Sequence, residues 1–231
     1  MAFNRNTWLD WKNGKPCPTC NNGMFSFPLK PSKGEYLKNE TKNSVEENVL
    51  GGQYYSDYIF SIHLKCRSCN ETIAVTGYMT EYVSDDERQP QKEVTPLFYY
   101  PAPKIIHIPN SCPKSVVKVI NESFNLFWIN ASSCANKIRL SIEVLLDELG
   151  IPKKGTLNSR LKVFEKTNSD VSQFLIAIKW IGNAGSHSLI TKNQVLDGYE
   201  LLEFALEKLF NDREDKLKKL SEEINQNLKQ I

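Results

Sequence analysis

Two Cys-x2-Cys pairs, Cys17-Pro-Thr-Cys20 and Cys66-Arg-Ser-Cys69, constrain the fold of this chain more than any other feature, and 45 residues lie between them. A tetrahedral zinc ion needs four such thiolates, and a two-residue gap lets one tight turn aim both sulfurs of a pair at a single point. Four cysteines can also be ordinary buried residues or two redox pairs. Here Pro-x-Cys after the first cysteine, and a strand leading into the second pair, favour metal-binding turns. The expectation is one structural Zn2+ per chain, held by Cys17, Cys20, Cys66 and Cys69. A sphere closed by four thiolates stabilises the fold and leaves no open position to activate water. His63 is close to the second pair and is a ligand only if one cysteine fails. Cys112 and Cys134 fall in helical settings and read as small apolar core residues.

With 231 residues, 40% of them hydrophobic and 24% charged, the chain should fold as one large domain or as a small one joined to a medium one. A net charge of +2 excludes the footprint of a general DNA-coating protein. Residues 1–70 carry nine Lys/Arg against six Asp/Glu, and residues 71–110 carry three against six. Local nucleic-acid contact stays open without being argued by charge. Met1 to Lys15 holds two tryptophans and several charges but no apolar h-region, so no signal peptide is expected. No window approaches the roughly 20 apolar residues that span a bilayer. Six cysteines in such a chain suggest a reducing compartment, so a cytoplasmic location without membrane partners is expected.

The expected fold class is α+β. Residues 1–110 read as a β-rich, zinc-ribbon-like module, 111–212 as a five-helix bundle, and 213–231 as a helical tail. Tyr58, Phe60, Ile62 and Leu64 alternate with Asp57, Ser61, His63 and Lys65, a strand running into Cys66. Ile73, Val75, Met79 and Val83 form a partner strand with Gly77 as a bulge. A short strand is expected over Met24 to Phe27, after an Asn21-Asn22-Gly23 turn, and a polar loop over Pro31 to Gly52. Pro96, Pro101, Pro103 and Pro109 mark a linker or an edge segment.

Five apolar stripes then follow at helical spacing. They are Val116 to Phe127, Cys134 to Leu149, a short one over Leu157 to Lys166, Val171 to Ile181 ending at Gly182, and Leu196 to Leu209. In the tail, Phe210, Leu217, Leu220, Ile224, Leu228 and Ile231 are spaced by seven, three, four, four and three. That pattern fits either a short coiled coil or a helix overhanging the bundle.

The helical part also carries a polar cluster. Arg139-x3-Glu143 sits beside an apolar stripe, where an i,i+4 pair is routine on a helix surface. Some 40 residues later comes Ile178-Lys179-Trp180-Ile181-Gly182-Asn183-Ala184-Gly185-Ser186-His187. Gly182-Asn183 alone reads as a helix C-cap.

Together Arg139-x3-Glu143 and Ile-x2-Ile-Gly-Asn-x3-His resemble domain-of-unknown-function family 4145, over about residues 110–212. That bacterial helical domain is often found in restriction-like and phage-defence proteins, and zinc-ribbon-like segments are familiar before it. It is placed with the HEPN superfamily of helical nucleotide-binding domains. The resemblance implies a site using an Arg-x4–6-His motif for metal-independent RNA cleavage, usually between two protomers. Histidine would act as acid or base and arginine would stabilise phosphoryl charge. Aligned on His187, the arginine position is Gly182, and Asn183 matches the polar residue that often follows. The candidate site residues are therefore His187, Asn183, Glu143, Arg139 and Lys179, with the motif arginine replaced.

The resulting expectation is a non-catalytic or regulatory module of a bacterial defence or stress system. Its partner would be RNA, a nucleotide or a protein encoded nearby, and it would form a homodimer. An endoribonuclease using His187 and a purely structural dimerisation adaptor are the alternatives.

Overall fold

The computed structural model describes residues 10, 12, 14–20, 23–25, 47–50, 53–83, 91–210 and 212–228. The fold is α+β, with strands first and helices after. The chain divides into two compact units, residues 1–105 with 124–130, and residues 106–123 with 131–231.

Among the described residues, the first unit holds two antiparallel sheets. Strands β1 (Lys15–Pro16) and β2 (Met24–Phe25) form a short ribbon. Strands β3 (Glu47–Leu50), β4 (Gln53–Lys65), β5 (Thr72–Val83) and β6 (Gln91–Tyr100) form a sheet in the order β3-β4-β5-β6. Period-two alternation decides which side is buried. Phe60, Ile62, Leu64, Ile73, Val75 and Met79 are buried, whereas Ile59, Ser61, His63 and Lys65 are exposed. The buried Tyr99 ring stands 4.5 Å from that of Trp128, which meets Phe127 edge-on at 5.0 Å.

Gly77 lies at the one shift of register between β5 and β6, opposite Pro96. A Cβ there would stand 2.2 Å from the Thr95 carbonyl oxygen, so only glycine permits this approach of the two backbones. Pro96 lies in β6, the last strand in the order among the described residues, so it follows the edge reading, while Pro101, Pro103 and Pro109 come after the strand.

The stretch expected to be a loop from Pro31 to Gly52 contains β3, a correction. Glu47–Leu50 is too short and too polar to alternate visibly, and its extended form comes from pairing with Gln53–Ser56. The remainder of that stretch, the N-terminal tryptophans, the Asn21-Asn22 turn residues, Ser26-Phe27 and the side chains of Asp57, Tyr58 and Val83 lie outside the described residues.

Six helices follow among the described residues: α1 (Lys114–Ile129), α2 (Ala131–Glu148), α3 (Leu157–Glu165), α4 (Ser169–His187), α5 (Lys192–Phe210) and α6 (Asp212–Leu228). The expected tail is a helix of its own, with the side chains of Leu228 and Ile231 outside the described residues. The core of the helical unit is apolar: Ile138, Ile142 and Leu145 of α2, Val171, Leu175 and Ile178 of α4, and Leu196, Leu202 and Leu206 of α5 are all buried. Cys134 is buried with them. Its thiol lies 3.2 Å from the Tyr199 hydroxyl, which is 2.7 Å from Ser123 Oγ. Burial pushes the Cys134 thiol up to about 12 and the Cys112 thiol to about 11, so both are inert core residues as the sequence suggests.

One boundary needs correction. Helix α4 does not stop at Gly182-Asn183; it continues to His187 and is capped by Ser188, whose N–H reaches the Ala184 carbonyl. The cause is packing against α2. A Cβ at Gly182 would stand 2.4 Å from Arg139 Cβ and 3.0 Å from the Ala135 carbonyl oxygen. A Cβ at Gly185 would stand 2.8 Å from the Ser132 carbonyl oxygen. Spaced i,i+3, the two glycines let the helices approach closely, and the contact offsets the cost of about 1 kcal/mol that each glycine imposes on a helix interior.

Candidate functional site

Among the described residues, two places gather chemistry-bearing residues, one in each unit. In the first, Cys17–Cys20 occupies the turn between β1 and β2, and Cys66–Cys69 the turn between β4 and β5. The four sulfurs lie within 4.8 Å of one another. Cys17 and Cys69 are 3.7 Å apart, and Cys20 and Cys66 are 3.8 Å apart. A tetrahedron of sulfurs about 2.3 Å from a zinc ion has edges of about 3.8 Å, so the cluster fits such an ion.

The turns are shaped for it. The Cys17 N–H donates to the Gly23 carbonyl at 2.8 Å and the Cys66 N–H to the Glu71 carbonyl at 2.8 Å. The Gly23 N–H points at Cys20 Sγ (3.3 Å) and the Ser68 N–H at Cys66 Sγ (3.4 Å), donors that favour thiolate. Asn70 closes the second turn in the left-handed region at φ 60°, which asparagine tolerates. A Cβ on Gly23 would stand 2.1 Å from Cys66 Sγ, so the first turn is moulded around the second pair. The Glu71 backbone favours the Cys69 thiolate, but desolvation and the side chains of Cys20, Cys17 and Cys66 outweigh it and push the Cys69 thiol up to about 12. Four sulfurs this close ionise together only around a cation. His63 is exposed and lies outside the cluster, which is complete without it.

The second place is on the helical unit. A cleft of about 350 Å³ is lined by Arg139 of α2, Thr156 and Asn158 at the start of α3, and Lys179, Trp180 and Asn183 of α4. Three of the five residues picked from the sequence therefore meet: Arg139, Asn183 and Lys179. Glu143 holds Arg139 by an ion pair, Nη1 to Oε1 at 2.8 Å, and faces a neighbouring cleft of about 300 Å³ with Asp147 and Arg160. There Lys153, together with Arg160, holds the Asp147 carboxyl below the usual carboxylate range. His187 joins neither cleft. It is exposed at the last residue of α4, and the nearest tie is one residue back, where Ser186 Oγ donates to Asn136 Oδ1 at 2.8 Å.

Lys179 is only 4% exposed. Its Nζ donates to Asn158 Oδ1 at 2.8 Å and stands 3.8 Å over the Trp180 ring. Reasoning from the sequence missed Thr156 and Asn158, because they lie on a helix start 20 residues away with no motif of their own. The signal available for Trp180 was its placement beside Lys179 on a stripe whose apolar positions it does not share. In the structure it is 61% exposed.

A four-cysteine β unit and a helical unit with a cationic cleft thus make up the chain. Residues 121–227 match the model of a Domain of unknown function (DUF4145), and residues 1–102 match that of another Domain of unknown function (DUF8608). No curated protein and no solved structure matches the chain. No helix among the described residues is long and apolar enough to cross a membrane.

Proposed function

We propose that this chain is a non-catalytic, HEPN-like binding component of a bacterial defence or stress system, working in the cytoplasm, with a zinc-ribbon-like unit stapled by one structural zinc ion. The observation that carries the reading is the packing of Gly182. The motif position at which the resemblance calls for arginine is pressed against the backbone and Cβ of α2, so no charged side chain can project from it. An arginine lost from such a site removes charge stabilisation worth several kcal/mol of barrier, about 3–4 by analogy with other preorganised donors. Lys179 and Arg139 lie in a cleft that His187 does not line, which separates the available cations from the candidate acid–base.

Purified protein incubated with total RNA at high concentration should produce no cleavage. Cleavage that disappears in a His187→Ala variant would establish the ribonuclease reading instead.

Pairing with a second copy is supported by Leu217, Leu220 and Ile224, which stand exposed along α6 at a/d spacing. In sedimentation, the full chain should run as a dimer and a chain ending at Asp212 as a monomer. An unchanged dimer after truncation removes the role of α6.

A further inference from the structure

We propose that the cleft formed by α2, the start of α3 and α4 binds a phosphate monoester carrying a flat ring. The ligand is either a free nucleoside monophosphate or the 5′-phosphorylated end of a nucleic-acid strand. The proposal rests on the reading of the helical unit as a binding module and specifies what it binds.

Lys179 is the starting point. A buried ammonium is costly unless an anion accompanies it. Its one hydrogen-bond partner is the neutral Asn158 side-chain oxygen, and no carboxylate pairs with it among the described residues. The face of the Trp180 ring lies 3.8 Å away on another side, so at least one of its three N–H donors is left for an anion. Arg139 lines the same cleft, with its Nη1 held by Glu143.

Helix α3 then brings its positive end to the same place. Thr156 is the N-cap, its Oγ1 accepting from the Ser159 N–H at 3.2 Å, while Leu157 and Asn158 form the first turn and line the cleft. First-turn amides have no partner within their helix and favour an anion. Among the described residues no acid lines this cleft, and Glu143 faces the neighbouring one.

The anion should carry a modest charge. Glu143 already neutralises Arg139, so the surplus is one lysine and one helix end. That suits a monoester at about −1.5 to −2 better than a triphosphate. The rest of the cleft suits a ring. Trp180 is 61% exposed and Lys179 covers one face of its indole, which leaves the other face open for stacking. Asn183, half-buried beside it, offers an amide donor and acceptor to a base edge. A bare phosphate ion would use neither. The volume of about 350 Å³ lies at the small end of ligand sites.

Calorimetric titration of the full chain with AMP, GMP, CMP and UMP tests the idea. Adenosine, ATP and inorganic phosphate serve as comparisons, together with one oligonucleotide carrying either a 5′-phosphate or a 5′-hydroxyl. At least one monophosphate or the 5′-phosphorylated strand should bind. Lys179→Met, which keeps the apolar stem, should weaken that binding at least tenfold. Trp180→Ala should weaken the nucleotide several-fold and leave inorganic phosphate unchanged. Both variants should keep the circular dichroism of the parent. Preference for the phosphorylated over the hydroxyl strand, with AMP weak, assigns the strand end; binding of the free nucleotide assigns the small molecule.

Adenosine binding as tightly as AMP, equal binding to Lys179→Met, or no binding of any phosphate monoester to folded protein overturns the site. None of these results bears on RNA cleavage. Cleavage dependent on His187 would overturn the non-catalytic reading and leave this site standing.

Discussion

A chain in which Cys66 is replaced by serine is expected to lose its metal and the fold of its β unit together, while the helical unit survives. The β1–β2 ribbon has two residues in each strand, far too few to hold a hairpin in water. What joins it to the larger sheet is the cysteine cluster, whose pairs Cys17–Cys69 and Cys20–Cys66 each take one sulfur from either turn. A structural zinc ion contributes about 10–16 kcal/mol to the folding of small domains. Breaking its coordination should therefore exceed anything a single core substitution does. Elemental analysis should give about one zinc per parent chain and well under one for the variant.

The helical unit owns a separate core around Ile138, Leu145, Leu175 and Leu202, so most of the helical circular dichroism should persist. Gly23→Ala removes no ligand, yet its Cβ would stand 2.1 Å from Cys66 Sγ and should produce the same loss. A parent chain with no bound zinc would sink the metal assignment. The pH dependence has a definite sign. Metal-bound thiolates stay ionised well below the ordinary cysteine value of about 8.5, so unfolding with metal release takes up protons. Stability from the metal is present above that value and is lost progressively on acidification.

How much of this could be read from the sequence depends on whether the determinant is local. Alternation at Phe60, Ile62 and Leu64 marked β4 and its buried side, because strand periodicity acts residue by residue. The four-cysteine cluster was readable because a two-residue gap fixes sulfur geometry within each turn. By contrast, β3 owes its extension to a partner strand, and Glu47–Leu50 alone says nothing of it. Gly182-Asn183 shows the same limit. By local rules it ends a helix, and only the face of α2, some 40 residues away in sequence, turns the glycine into a packing residue. The cleft was half legible. Arg139, Lys179 and Asn183 were named for their chemistry, yet Asn158 joined them only through the folding of α3 beside α4.

Replacing Gly182 by alanine should lower the stability of the helical unit by about 1–3 kcal/mol, against the helix propensity of the substitution. Alanine is the better helix former by about 1 kcal/mol, so propensity alone predicts a gain. The added methyl would stand 2.4 Å from Arg139 Cβ and 3.0 Å from a backbone oxygen of α2, and neither is the free end of a flexible chain. The two helices must separate, which is the usual cost of overpacking. Gly198 on α5 supplies the opposite case in the same unit. Its Cβ would meet only Ile181, at 3.5 Å, an ordinary contact. Gly198→Ala should therefore stabilise by about 0.5–1 kcal/mol. Urea denaturation of both variants reads the opposed signs directly. Gly182→Arg, which writes the motif arginine back into the chain, should be the least stable of the three and should gain no RNA cleavage. A Gly182→Arg chain that unfolds at the parental urea concentration and cuts RNA would refute the close packing of α2 on α4, and with it the case for a binding module in place of a nuclease.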